Sequence, residues 1–596
     1  MSLRRGYILH IFFVLTGFLL VIRLFYIQVL QHNYRQAADR NIVQSTWDLP
    51  HRGILCDREG KLLAYNEPTY DLMVLPQEVN TLNVHKLCKS LGMSASSFEI
   101  KMQKARRYSR IKPSVFFKGI SQQAWLRFQD DLIDYPGFFV RVRTVRHYPV
   151  PILATTLGYL SQASALSSGA SSLPQRSEGD LVGASGLEKQ YEDLLKGQPG
   201  MCYRVVDAKG SDQGAFMAGK LDQAAVSGQD VRLTISAALQ QYAELLMQGQ
   251  RGSVVAIEPA TGEVLALASS PSYDPNALSG REMGERFTQL RKDPCFPLFH
   301  RAIMATYAPG STFKPIQALV ALQEGVLRPE DLYPCRVTTV KCRRHPSPLN
   351  LTVALKHSCN PYFCRVFRNL INRHVAEDVY EDTRVGLARW GSYLLKMGLG
   401  KPLGIDIPGE RGGCVPTAEL YDKRYHKNRW QISTIRSLDI GQGELLMTPL
   451  QMGNIAALIA NRGYYYTPHL LQSTSLGTEL TAEKNDCGIA LKHFEAVIEG
   501  MRASVVTGTS RRAHIKDIEV CAKTGTVQNA HGADHATCIA FAPKLRPTIA
   551  VAVCVENSGW GSRAGAAIAG LVIEKYLKKN VERHAMEAYV LQGKFL

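Results

Sequence analysis

The chain of 596 residues is 45% hydrophobic and 20% charged, with 48 Gly and 28 Pro, a balance that excludes a disordered, collagenous or wholly membrane-embedded polypeptide. Its length amounts to roughly three or four domains' worth of residues, enough for at least one large core. Lys and Arg outnumber Asp and Glu by 70 to 52, a net charge of +18, which suits an anionic partner and makes nucleic acid the first class to weigh.

Arg4-Arg5-Gly6 precedes a nearly unbroken apolar run from Tyr7 to Ile22, followed by Arg23 and more apolar sequence through Leu30. Tyr7 to Leu30 is long enough to cross a hydrocarbon core of about 30 Å as one helix. Arg23 lies toward the distal end, where it can snorkel, beside Phe25 and Tyr26, which suit the interface. No small-x-small cleavage site follows, only Gln31-His32-Asn33, so the segment reads as an uncleaved anchor rather than a signal peptide. Arg4 and Arg5 predict a cytoplasmic N-terminus and export of the remaining chain. Export sets nucleic acid aside as a partner.

From Asn33 to Ser227 short strand-like pieces alternate with charged helices. Lys101 to Arg146 holds eleven basic and three acidic residues, so +8 of the +18 is concentrated there. Ser161 to Asp180, rich in Ser, Ala, Gly and Pro, reads as a flexible loop. From Gly228 the texture changes. Val231 to Ile235 alternates like a strand, and Ala237 to Met247 has helical spacing. Ser253 to Glu258 and Glu263 to Ser269 are β-rich runs joined by the turn Pro259-Ala260-Thr261-Gly262.

Ser311-Thr312-Phe313-Lys314 follows Pro309-Gly310 and precedes the apolar run Ile316 to Leu322, which places Ser311 at a helix N-terminus with Lys314 one turn away on the same face. A serine hydroxyl needs a neighbouring base to become a nucleophile, and a lysine in a dry, cation-rich pocket loses enough basicity to act as one. The helix N-terminus adds N–H groups for a developing oxyanion. The loop beyond carries Cys335, Cys342, His345 and Cys359, a Cys-x6-Cys-x2-His-x13-Cys array that is chemically sufficient for tetrahedral zinc. Its competing reading is a Cys335–Cys342 disulfide. Ser358-Cys359-Asn360 comes next. Lys523-Thr524-Gly525-Thr526 stands at the end of a strand-like run that begins at Ile518. Thr537 to Ala542 and Thr548 to Glu556 are further strands, and Gly565 to Lys578 reads as an amphipathic closing helix. Cys521, Cys538 and Cys554 read as buried small hydrophobes. Two strands and a helix early, a helical middle, and three strands with a helix late predict one antiparallel sheet in an α+β domain.

The ordered set Ser-x-x-Lys, Ser-x-Asn, Lys-Thr-Gly resembles the penicillin-recognising serine acyltransferases. The chain is identified as similar to the class B penicillin-binding proteins, closest to their elongation branch, penicillin-binding protein 2. The likeness extends to His51-Arg52-Gly53-Ile54, Asp57-Arg58-Glu59-Gly60, Leu63-Ala64-Tyr65-Asn66, Gly186-Leu187-Glu188, Gly441-Gln442-Gly443, Thr448-Pro449-Leu450-Gln451 and Glu556-Asn557. His300 before Arg301 and Asp439 before Ile440 depart from the pattern, and neither is expected to touch a catalytic group.

The resemblance implies a transpeptidase fold, with an antiparallel five-stranded sheet flanked by helices. It implies an anchor over 1–30, a non-catalytic pedestal of mixed α/β structure over 31–227, a transpeptidase domain over 228–580 and a tail over 581–596. It further implies attack by Ser311 on the D-Ala-D-Ala bond of a peptidoglycan stem peptide, with Lys314 as base, Ser358 with Lys523 relaying the proton to the leaving amine, and Asn360 holding Lys314. Thr524 and Thr526 would bind the donor carboxylate, and the backbone N–H groups of Ser311 and Thr526, across Gly525, would form the oxyanion hole. No cofactor is required for the chemistry; some members carry zinc at the loop, with the middle residue of Ser-x-Asn as a ligand. Implied partners are β-lactams, the membrane, a SEDS-type glycosyltransferase and elongation-complex proteins, with the catalytic domain periplasmic at the cell inner membrane. A septal class B protein and a β-lactam sensor are the alternatives. Family-like His345-Pro346-Ser347-Pro348 and Trp560-Gly561 favour elongation, and a tail before Tyr7 too short to signal disfavours the sensor.

Overall fold

The computed structural model describes residues 2–30, 42–79, 84–162, 181–206, 212–280, 282–336, 340–478 and 480–596. Gln31-His32-Asn33 and nearly all of the loop expected over Ser161–Asp180 lie outside these. The chain divides into two compact units, one formed by 1–53 with 193–229, the other by 54–192 with 230–596. In the first, an apolar helix Ser2–Phe25 continues as a short wider turn, Tyr26–Leu30. Gly6–Gln28 within it is long and apolar enough to cross a membrane and buries nothing against the protein. The same unit holds a three-stranded sheet in which Gly200–Val206 lies between Val43–Asp48 and Asp212–Ala215.

The second unit contains the predicted sheet. Its strands are β1 (Gly252–Ile257), β2 (Val264–Ser270), β3 (Cys521–Val527), β4 (His535–Ala542) and β5 (Ile549–Val555), antiparallel throughout in the order β2-β1-β5-β4-β3. The β1–β2 turn closes through the Glu258 N–H donating to Glu263 O at 2.8 Å. Gly262 sits there at φ +82°, where a Cβ would come 2.7 Å from the Tyr466 side chain, so only glycine fits.

Among its helices, those that matter for the sheet and the motifs are α1 (Ala237–Leu246), α2 (Lys314–Gln323), α3 (Leu351–His357), α4 (Asn360–Ile371), α5 (Pro449–Ala460), α6 (Phe494–Thr507), α7 (Gly565–Lys578) and α8 (His584–Leu591). Val254 and Ala256 join α1 and α7 in one core cluster, which also takes in Cys538 of β4 and Val590 and Phe595 near the C-terminus. Val255 and Ile257, on the other face, pack against α5, whose Gly453 leaves room for them. Because both faces are covered, β5 is buried at every position. Each of its Val and Ile side chains contributes roughly 1.5–3 kcal/mol of transfer free energy, which explains a central strand without polar alternation.

The third motif's strand is shifted from the sequence expectation. Ile515 and Ile518 pair across a tight turn with Asp517 at φ +65°, so the strand starts at Cys521 and Lys523-Thr524-Gly525 lies in its interior. The apolar Ile518 belongs to the turn and packs against the core.

A six-stranded sheet joins chain-distant pieces of the second unit. Val231–Leu233 pairs in parallel with Leu55–Cys56 and antiparallel with Leu471–Thr474, and Leu62–Val74 carries both Ser114–Ile120 and Phe138–His147. Within it Arg146 donates to Glu188 at 2.7 Å, and both side chains are almost fully buried.

Candidate active site

Ser311 lies in a single 3-10 turn, Gly310–Phe313, which runs directly into α2. The turn is held from behind by the Gly441 loop. The Gly310 N–H donates to Gly441 O at 2.8 Å, and a Cβ on Gly441 would meet Gly310 O at 2.4 Å. Gly310, at φ +57°, also brings the turn against β3, where a Cβ would stand 3.0 Å from Thr526 O. Two glycines therefore let the nucleophile turn sit between a buttress and the edge strand. Ser311 remains half-buried, and its side chain makes no hydrogen bond to the described residues.

Ser358 caps α3 in the left-handed conformation, φ 56° and ψ 43°, a placement that costs a non-glycine residue roughly 1–2 kcal/mol. The bend turns both its oxygens toward the lysines. Lys314 Nζ donates to Ser358 O at 2.8 Å, to Ser358 Oγ at 3.2 Å and to Asn360 Oδ1 at 2.6 Å. Lys523 Nζ donates to Ser358 Oγ at 2.8 Å and to Thr524 O at 2.9 Å. The hydroxyl of Ser358 thus bridges two ammonium groups that come from α2 and β3. Burial pushes Lys314 down to about 8, against a smaller upward pull from Cys359, Cys342, Cys364 and Asp439. Burial, with the charges of Lys314 and Arg343, holds Lys523 well below the ordinary lysine value. The lowered value brings the free amine, the form a general base needs, closer to neutral pH.

The third motif supplies the floor. A Cβ on Gly525 would come 2.3 Å from Thr537 Oγ1 and 2.8 Å from Pro309 O. Thr524 donates its hydroxyl to Thr509 Oγ1 at 3.1 Å, and Thr526 Oγ1 accepts from the Gly561 N–H at 3.4 Å. Thr509 lies in a small polar run, Thr507-Gly508-Thr509-Ser510, that has the look of an ordinary turn and gives no sequence signal. Asn360 uses both ends of its amide inside the protein, because its Nδ2 donates to Lys341 O at 2.8 Å.

Asp439 makes no hydrogen bond to Lys314 or Lys523. It is buried, and its carboxyl is pushed up to about 6 by burial, partly offset by a hydrogen bond from Cys364 and the charge of Lys314. Its Oδ2 has no hydrogen-bond partner. Its absence from the Lys314 hydrogen bonds is in keeping with the expectation that it touches no catalytic group, and its charge pulls that lysine only slightly upward. His300 also stands clear. Its Nε2 lies 3.1 Å from Thr156 Oγ1, and burial lowers the ring to about 4.

The loop between the first two motifs gathers Cys335, Cys342, His345 and Cys359 so that their ligand atoms all lie within 4.8 Å of one another. All three cysteines are free thiols. The His345 ring faces Cys342 Sγ with Nε2 at 3.3 Å, while Nδ1 lies 2.8 Å from Pro346 O. That second contact fixes Nδ1 as the donor and leaves the Nε2 lone pair toward the sulfurs, as a metal-binding imidazole requires. A hydrogen bond from Cys359 holds the Cys342 thiol far below its usual value. The donor set and its convergence fit a structural zinc ion.

Comparison with known proteins finds two families. Residues 252–577 match the penicillin binding protein transpeptidase domain, and residues 48–233 match the penicillin-binding protein dimerisation domain. Peptidoglycan D,D-transpeptidase MrdA of Escherichia coli K12 is 30% identical over 599 residues, covering 93% of this chain and 90% of the relative. Among solved structures, a peptidoglycan synthase complex that coordinates polymerization and crosslinking aligns over 97% of this chain and 99% of its own, at 26% identity and a TM-score of 0.72. Penicillin-binding protein PBP2 of Helicobacter pylori, in complex with MreC, shares the fold at 23% identity and a TM-score of 0.72, over 90% of this chain and 99% of its own.

Proposed function

This chain belongs to the penicillin-binding protein transpeptidase family, and from that premise we propose how its residues carry out the reaction. It is a peptidoglycan D,D-transpeptidase of the elongation type, working through a serine acyl-enzyme. Ser311 Oγ attacks the carbonyl carbon between the two terminal D-alanines, and its proton passes to the neutral amine of Lys314. The oxyanion is held by the N–H groups of Ser311 and Thr526, a role supported by the close approach of Gly310 to Thr526 O. As the C–N bond breaks, Ser358 with Lys523 hands a proton to the departing D-alanine amine. An acceptor amine on a second stem peptide then attacks the ester carbonyl and loses its proton by the same route, and Ser311 Oγ leaves reprotonated. Thr524 and Thr526 take the donor's terminal carboxylate, and Asn360 holds Lys314. The observation that carries this reading is the Lys314–Ser358–Lys523 chain, in which the two lysine Nζ atoms share one hydroxyl.

Mass spectrometry after penicillin treatment tests it. An adduct on the peptide containing Ser311, absent in Ser311→Ala, is expected; labelling retained in that variant refutes the assignment.

The serine chemistry needs no cofactor. Cys335, Cys342, His345 and Cys359 would hold a structural zinc whose contribution is to fix the loop beside Ser358 and Asn360, and elemental analysis without stoichiometric zinc rejects it. The domain reading places the anchor over 1–30, the pedestal over 31–227, the transpeptidase over 228–580 and the tail over 581–596. The apolar helix Gly6–Gln28 supports a single-pass anchor in the cell inner membrane with a cytoplasmic N-terminus and a periplasmic catalytic domain. The resemblance to a synthase complex that couples polymerization to crosslinking supports a SEDS-type glycosyltransferase partner, and the fold shared with an MreC-bound protein supports elongation-complex partners.

A further inference from the structure

Arg343 follows Cys342 in the loop between the first two motifs, and Trp560 follows Gly559 after β5. The guanidinium carbon stands 4.1 Å from the centroid of the Trp560 rings. Stacking of this kind orders the planar side chain by its face and leaves its N–H edges free to bond. Those edges are not used within the protein, since Arg343 is exposed and has no ion pair or hydrogen bond among the described residues.

Both partners are tied to catalytic segments. The Lys341 carbonyl receives the Asn360 amide at 2.8 Å, and Cys342 converges with Cys359, the residue between Ser358 and Asn360. On the other side, the Gly561 N–H reaches Thr526 Oγ1 at 3.4 Å, and a Cβ on Gly561 would come 2.0 Å from Gly525 O. The arginine thus comes from the second motif's wall and the tryptophan from the third motif's wall, and their stack spans the two. Lys523 feels the arginine's charge. The lysines below are buried and partly neutral, whereas a guanidinium keeps its charge at every accessible pH.

Resting on the transpeptidase reading above, we propose that Arg343, preorganised by Trp560, is a specificity-determining residue that binds a carboxylate of the stem peptide other than the terminal one. A planar fork with free edges matches a carboxylate with two parallel hydrogen bonds, and among the described residues no carboxylate competes for it.

The test uses the purified full-length protein and stem peptides ending in D-Ala-D-Ala, in which each non-terminal carboxylate is replaced in turn by its carboxamide. For one position the parent is expected to favour the carboxylate by roughly tenfold in kcat/KM. Arg343→Gln should bring that ratio close to one, and Arg343→Lys should leave it intermediate, because charge is kept without the stacked fork. Trp560→Ala should also lower it. The ratio is insensitive to a general loss of folded protein. Titration of both peptides onto the Ser311→Ala protein, with and without Arg343→Gln, gives the same comparison as a ratio of Kd values without turnover. A ratio unchanged by Arg343→Gln, or a parent without preference at any position, overturns the proposal. Labelled penicillin applied to the same preparations reports the acyl-enzyme separately, so failure of the transpeptidase reading would be seen as missing adduct rather than as a changed ratio.

Discussion

Two buried cation sites in the second unit differ in what faces them. In the six-stranded sheet, Arg146 meets the carboxylate of Glu188 at 2.7 Å, with both side chains almost fully buried. In the proposed catalytic cleft, Lys314 and Lys523 are fully buried, yet among the described residues every hydrogen-bond acceptor they have is a neutral oxygen of Ser358, Asn360 or Thr524. Burial disfavours an ammonium ion, and only a nearby anion repays it. The first arrangement pairs its buried cation with an anion, as a structural ion pair does, whereas the second leaves its lysines without one and lowers their hold on a proton. Part of the sequence's basic excess between Lys101 and Arg146 is thus internal structure, although most of it still faces solvent.

The largest expected effect separates the two sites directly. Lys314→Met should slow acylation by labelled penicillin by roughly a thousandfold while leaving thermal stability close to that of the parent, since a buried amine without an anionic partner is removed together with its three hydrogen bonds. An unslowed rate would show that the buried lysine is structural after all. Arg146→Met should behave oppositely, costing about 3–5 kcal/mol of stability in urea titration because the buried Glu188 loses its guanidinium partner. The double variant Arg146→Met, Glu188→Leu should recover most of it; if the single variant matches the parent, the pair is not what holds that sheet.

Asp439 sharpens the comparison because it is an acid beside the catalytic cations that is still not bonded to them. Its carboxyl is raised to about 6, so its contribution to stability is fully present below the ordinary value near 4 and is lost as pH rises through 6. Asp439→Asn should therefore gain on the order of 3 kcal/mol over the parent between pH 4 and pH 7, read as a growing difference in melting temperature. The same variant should move the acylation profile to lower pH. In the parent the rate rises as Lys314 loses its proton near pH 8, and removing an anion that pulls this value upward lets the amine form sooner. A profile that stays in place would detach Asp439 from the base. The smallest effect belongs to the exposed cations. Lys118→Ser and Arg141→Ser should each change stability by less than about 0.5 kcal/mol, and a larger loss would mean that these side chains also have internal partners.

The chain's local patterns carried much of the fold. The two early strands, the three late ones and the helix Gly565–Lys578 are written as apolar runs broken by turn residues, and the sheet forms where those runs fall. The apolar N-terminal helix is likewise a matter of length and composition alone. The start of the third motif's strand is not legible in the same way, because Ile518 is apolar in either setting; the left-handed Asp517 puts it in a turn.

The candidate site divides in the same way. Ser311, Lys314, Ser358, Asn360 and Lys523 were singled out by residue type and order, since a nucleophile, a base and a relay need those groups. Burial and cross-chain distance decided the rest. Nothing in the sequence puts Ser358 in a left-handed bend between two lysines, joins Lys341 to Asn360, turns Thr509 toward Thr524 or brings Asp439 within reach of Lys314. Neither can spacing choose between a disulfide and four converging ligands when the residues are separated by loops of unequal length. The sequence by itself determined which chemical groups and which local elements this protein has, because those follow from side-chain identity and short-range backbone preference. The tertiary structure alone decided which groups lose their water and what charge stands opposite them, because desolvation and electrostatics depend on neighbours brought together from remote parts of the chain.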